Sequence, residues 1–219
     1  AQGLFQLGRA QRSLGHAPQA FAAFREVAAK QPGHVQAHLA AAACAVELER
    51  LPDAVREYEA AIAAAPDGAE AYRGLGATLR RLEKHAEAVT ALDSTTRLDA
   101  SSGETFLWLA DSQARLGKRE EALSSVRQAI RRLPDDASAH ALAGTLLAAE
   151  ARHGEAIEEL EASLRLAPDA AGAPETLFLL GVSRRTLGKL DVAEEAFKKA
   201  ARLVPKEARY HQALGLLFL

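Results

Sequence analysis

The sequence predicts an all-α protein in which helix hairpins repeat and stack along the chain. Three observations carry this. Ala is the commonest residue and Leu follows, while aromatics make up only 5%; Ala has the highest helix propensity, and small side chains let helices approach closely. Ala recurs at positions 20, 54, 88, 122 and 156, a spacing of 34 residues each time. Within each period, two runs of apolar residues fall at helical spacing.

The first helix of each unit covers its residues 2–14 and the second roughly residues 18–31. A large residue holds the fourth position (Leu4, His38, Tyr72, Phe106, His140) and a small one the eighth (Gly8, Ala42, Gly76, Ala110, Gly144). Gly15, Gly117 and Gly188 follow the first helix, where a left-handed C-cap is wanted. Pro32, Pro66, Pro134 and Pro168 close the second, because proline cannot extend the hydrogen-bond ladder. After Pro168 the phase slips by three residues and resumes with Leu177, Gly181, Ala193, Phe197 and Pro205. The predicted organisation is a single array with units 1–34, 35–68, 69–102, 103–136 and 137–170, an insertion 171–173, a unit 174–207 and a partial unit 208–219. One hairpin cannot bury its apolar stripe alone, so neighbours must stack.

These residues resemble the tetratricopeptide repeat, whose pattern places a large residue, Leu-Gly, an aromatic, Ala, an aromatic and Pro at these offsets. The resemblance covers essentially the whole chain and implies a right-handed superhelical α-solenoid. The eleventh position, usually aromatic in the family, is Gln11, Ala45, Leu79, Gln113, Leu147 and Arg184, which thins the hairpin core. Ala100 replaces Pro and precedes Ser101-Ser102-Gly103, so a looser junction is expected there. The insertion Ala171–Ala173 reads as a longer turn. Solenoids end in polar capping faces; the apolar run Leu214, Leu216, Leu217, Phe218 and Leu219 is therefore expected to be followed by more of the array, and Ala1 marks an excerpt of a longer or processed polypeptide.

Composition excludes several classes of function. A net charge of −2 lacks the excess of Lys and Arg that a nucleic-acid or polybasic membrane surface needs. The single Cys44 precludes an internal disulfide and a cysteine-built metal site. Its position, where Ala10, Thr78 and Ser112 recur, makes it a packed, inert thiol. His38, His140 and His211 share the fourth position of separate units and read as packing residues that cannot share a metal, whereas His16, His85 and His153 are expected on exposed turns. No phosphate loop, nucleophile elbow or paired-carboxylate motif occurs. The expected protein is not an enzyme and uses no cofactor and no metal.

The resemblance further implies that first helices line a concave groove. Carried onto this sequence, its binding positions are Phe5, Arg9, Arg12, Leu39, Arg73, Arg80, Leu107, Trp108, Asp111, Arg115, Leu142, Phe178, Val182 and Arg185. Exposed apolar surface marks interaction sites, and Trp is enriched among binding hot spots. The mapped face carries eight Arg against five acids, with the Arg concentrated in the first three units. That points to a protein partner, a peptide segment or small domain with apolar anchors and acidic groups. The chain contains no Asn, and Phe5, Leu39 and Leu107 stand where the family's chaperone-tail clamp uses Lys, so that specialised function is not expected. The expectation is an interaction scaffold, cytoplasmic and from a GC-rich bacterial genome, with no nucleic-acid partner and no membrane insertion. Two alternatives remain open: a regulatory or substrate-recruiting module of a larger enzyme, and a bacterial envelope assembly factor, periplasmic if an upstream signal is removed.

Overall fold

The computed structural model describes residues 1–217, and among these it contains thirteen α-helices and no strand. The helices are α1 (Gln2–Ser13), α2 (Ala17–Lys30), α3 (Val35–Glu47), α4 (Leu51–Ala64), α5 (Ala69–Arg81), α6 (His85–Leu98) and α7 (Gly103–Arg115). They continue as α8 (Arg119–Arg132), α9 (Ala137–Ala149), α10 (His153–Leu166), α11 (Ala173–Thr186), α12 (Leu190–Leu203) and α13 (Ala208–Gly215). The chain divides into two compact units, Ala1–Leu116 with α1–α7 and Gly117–Leu219 with α8–α13.

In the first unit, successive helices pair because a bulky side chain of one fills the gap left by a small residue of the other. A methyl group built at Gly8 of α1 would lie 2.8 Å from the Phe24 ring of α2, and one at Gly76 of α5 would lie 2.6 Å from Leu92 of α6. Phe24 and Leu92 are fully buried there; burying one such side chain stabilises the fold by about 1.5–3 kcal/mol. The second unit repeats the device with Gly144 under Leu160 and Gly181 under Phe197. Ala20, Ala54, Ala88, Ala122, Ala156 and Ala193, the residues that mark the period, are all completely buried.

The turn after each first helix needs one left-handed residue. Gly15, Gly117 and Gly188 supply it with φ near +74°, but the same position of the other hairpins is Glu49, Glu83 and Ala151, with φ of 56°, 58° and 56°. The junction after α6 is not loose. Asp99 accepts a hydrogen bond from the Ser101 N–H at 2.9 Å, and the Ser102 hydroxyl caps α7 through the Thr105 N–H at 3.2 Å, so side chains replace the missing proline as the stop signal. The phase slip is absorbed by a six-residue link, 167–172, against four residues between α4 and α5, and Ala173 enters α11.

Two of the three fourth-position histidines, His38 and His140, pack between helices and are hydrogen-bonded; His211, expected to pack likewise, is exposed, with its Nε2 2.9 Å from the Pro205 carbonyl oxygen. In the first unit the His38 Nδ1 lies 2.8 Å from Glu57 Oε2 and its Nε2 lies 3.2 Å from the Pro32 carbonyl oxygen. In the second, His140 sits 2.6 Å from Glu159 and 3.0 Å from the Pro134 carbonyl oxygen. Each ring ties the turn before its helix to the helix that follows. His85 and His153 depart from expectation: they are half-buried first residues of α6 and α10, and the His153 Nδ1 lies 3.4 Å from Ser183 Oγ. The apolar C-terminal run is partly folded in, with Leu217 buried beside Phe197 and Leu216 exposed; Phe218 and Leu219 lie outside the described residues.

Candidate functional site

The face of the first unit formed by α1, α3, α5 and α7 carries two hollows that merge into one furrow. The first, about 510 Å³, lies between Phe5, Arg9 and Arg12 of α1 and Leu39 and Ala43 of α3, with Phe24 behind. The second, about 370 Å³, runs from Leu39 and Ala43 past Tyr58 and Arg73 to Glu104 and Trp108 of α7. Leu39, Ala43 and Glu70 border both. The floor is low because the sixth and ninth positions of the second and third hairpins are all small: Ala40, Ala43, Gly74 and Ala77. Flanking hairpins place Arg9, Trp108 and Asp111 at such positions. Gly74 also makes room for the Tyr58 ring, which a methyl group there would overlap unless the ring moved.

Six of the expected binding residues therefore meet in one furrow: Phe5, Arg9, Arg12, Leu39, Arg73 and Trp108. Leu39 is nearly buried at 8% exposure and acts as the floor between the hollows. Phe5 stacks at 5.4 Å on Phe24 and at 5.0 Å on the His34 ring, which fixes its edge at the furrow's end. Trp108 is half-buried; it packs on the Val89, Leu92 and Leu109 cluster and carries the Arg80 guanidinium 5.6 Å from its ring centroid. Leu107, half-buried on α7, borders neither hollow. Arg80, Asp111 and Arg115 line a separate, more polar hollow of about 210 Å³ at the ends of α5 and α7.

Charge along this face of the first unit is more balanced than the sequence implies. Arg12 is bound to Glu47 at 2.6 Å, Arg80 to Asp111 at 3.0 Å, Arg115 to the same Asp111 at 3.3 Å, and Arg81 to Glu49. Among the described residues, Arg9 and Arg73 form no ion pair, and neither do Glu70 and Glu104 on the same walls. Tyr58, whose ring backs the second hollow, has its phenol pKa raised by burial first and by the Glu70 carboxylate second, so it remains a hydrogen-bond donor. Burial likewise raises the Cys44 thiol, which keeps it out of thiolate chemistry.

The remaining expected residues belong to the second unit. Phe178 lies 5.8 Å from Phe197 and 5.3 Å from Tyr210, and Arg209 stacks over it at 5.2 Å. With Val182 it packs along Leu214 of α13, so much of both side chains supports the α11–α13 seam. Leu142 and Arg185 are half-buried on α9 and α11. Sequence reasoning missed Tyr58, which comes from a second helix, and the small floor residues; the signal for the floor was a lack of bulk at two neighbouring repeats. No group of His, Cys, Asp and Glu side chains able to hold a metal ion occurs among the described residues.

Paired helices, a small-residue seam and a furrow along the first helices define a helical-repeat interaction fold. Residues 5–57, 45–103, 108–171 and 178–219 match the tetratricopeptide repeat family model, and the chain belongs to that family. Among solved structures it resembles YrrB, described as a TPR protein with an unusual peptide-binding site, at 22% identity and a TM-score of 0.79 over 88% of this chain and 98% of that one. It also resembles MamA, at 23% identity and a TM-score of 0.72 over 80% of this chain and 94% of that one. PilF of Pseudomonas aeruginosa matches at 20% identity and a TM-score of 0.72 over 96% of this chain and 95% of that one. These likenesses are of fold. No curated protein matches the chain, and none of its described helices is long and apolar enough to cross a membrane.

Proposed function

We propose that the protein is a non-catalytic scaffold that binds an extended segment or small domain of another protein in the furrow of α1, α3, α5 and α7. The observation that carries this is the juxtaposition of two merged hollows, floored by Ala and Gly, with Phe5, Leu39, Tyr58 and Trp108 as their apolar walls. A small-residue floor beside rigid aromatic walls is suited to receive a partner's bulky side chains, which is where binding energy concentrates. Arg9 and Arg73 are the furrow's uncommitted cations, so partner carboxylates belong opposite them, while Glu70 and Glu104 ask for a donor or cation in between. That alternation sets register, and the apolar anchors set affinity.

Affinity capture from the native cell followed by titration of the recovered partner tests this. Trp108→Ala should weaken binding by about 2 kcal/mol or more, roughly thirtyfold. Arg73→Glu, at an exposed site that leaves packing untouched, should weaken it by a smaller factor and alter its salt dependence. Unchanged affinity in both variants, with helical circular dichroism intact, would place the partner elsewhere.

A further inference from the structure

A further hollow lies in the second unit, away from the furrow of the first. It occupies about 410 Å³ between α10 and α12 over the flank of α11. Its floor is Leu177 and Leu180, its sides are Leu164 and Leu203, and Pro168 of the long α10–α11 link closes one end. None of the α11 residues mapped to a groove (Phe178, Val182, Arg185) takes part.

The origin of this hollow can be read from the neighbouring hairpin. In α9 and α10 the fourth and twenty-third positions are His140 and Glu159, which meet at 2.6 Å and fill the space between helices. The same two positions of the next hairpin are Leu177 and Ala196. Leu does not reach the carbonyl that His140 reaches, and Ala leaves the place of the carboxylate empty. The result is an open apolar slot where the adjacent repeat has a closed polar clasp. Leu203 at its rim is 52% exposed, more than Leu98 and Leu166 at the same position of other hairpins, at 45% and 40%.

The rim is cationic. Lys199 and Arg202 border the slot, and Arg165 borders its extension along Leu164 and Arg184. Among the described residues these three form no ion pair, whereas Arg184 is held by Glu161 at 2.7 Å. Glu195 is the one acid on the slot itself. Three uncommitted cations around a leucine-lined slot match a ligand with carboxylates on both sides of an apolar group.

We propose that this slot is a second docking site, for a short acidic segment of a partner protein that inserts one bulky apolar side chain between α10 and α12. The probe is a labelled peptide set, Glu-Asp-Xaa-Leu-Asp-Glu with Leu, Ile, Phe or Met at Xaa, titrated by anisotropy and by amide chemical shifts of the isotope-labelled chain. At least one member is expected to saturate, shifting amides around Leu164, Leu177 and Leu203 while leaving the emission of Trp108 unchanged. The exposed pair Lys199→Glu with Arg202→Glu should weaken binding at least about tenfold. Leu177→His with Ala196→Glu, which rebuilds the clasp of the preceding hairpin, should abolish it. Trp108→Ala should leave it intact, which separates this site from the furrow. Absence of saturable binding across the set, equal binding of a Lys-Arg-Xaa-Leu-Arg-Lys control, or shifts confined to α1–α7 would each overturn the proposal.

Discussion

Three of the six hairpin turns hold a side chain where the backbone is left-handed, and this gives a test whose sign depends on the residue present. Ala151, at φ of 56°, is exposed and makes no side-chain hydrogen bond, so replacing it changes backbone energy and little else. A non-glycine residue in that region costs about 1–2 kcal/mol relative to the right-handed one. Ala151→Gly removes this cost but adds unfolded-state freedom worth about 0.4–1 kcal/mol. The net expectation is a stabilisation of about 0.5–1 kcal/mol. Gly188, at φ of 72° in the same unit, provides the reciprocal change, and Gly188→Ala should destabilise by a similar amount. With a urea m-value of about 2.5 kcal/mol/M, the unfolding midpoint would move by roughly 0.2–0.4 M, upward for the first and downward for the second. Amide hydrogen exchange in α9 and α10 should become slower in Ala151→Gly. The reasoning fails if both variants move the midpoint in the same direction, or if neither moves it.

Two more expectations concern packing and titration. Gly144→Ala should destabilise by about 1–2 kcal/mol, because its methyl would sit 2.6 Å from Leu160 Cγ and 3.2 Å from the Ala156 carbonyl oxygen; Gly154→Ala, with nothing within 4 Å, should instead stabilise by up to about 1 kcal/mol, and thermal melts of the two variants check the opposite signs. Cys44 should resist thiol reagents in the folded state and react only on unfolding, as measured by the rate of thiol modification with and without urea. Since burial raises its folded pKa, its contribution to stability is complete below the ordinary thiol pKa and is lost as pH rises from there through the folded value; replacing Cys44 with Ala should flatten that alkaline loss.

Much of the fold was legible because its rules are local and repeated. Ala20 and its equivalents mark a seam that tolerates nothing larger, and Pro32 and its equivalents stop a helix wherever they occur. What escaped the sequence depends on pairs of residues far apart in the chain. The Ser102 cap looked like a loose junction because a serine signals either flexibility or an N-cap, and only the Thr105 N–H decides between them. The site was partly legible. Phe5, Arg73 and Trp108 line the furrow as their repeat positions imply, but the excess of Arg on the mapped face is offset, since Arg12 and Arg80 pair with Glu47 and Asp111 of neighbouring first helices and Arg81 with Glu49 of the α3–α4 turn. Phe178 and Val182 follow the same positional rule, yet α13 draws them into its own packing. A side chain's repeat position gives its direction; its availability depends on what the next helix places there.

The chain holds one tryptophan, at the wall of the furrow, so its emission reports on that surface alone. Titrating the purified partner segment while recording Trp108 fluorescence and acrylamide quenching is the most direct measurement. A saturable blue shift with reduced quenching, lost when Ala43 on the shared floor is replaced by Phe, is the predicted result. Binding at full affinity with Trp108 emission and quenching unchanged would contradict the furrow as the place where the partner sits.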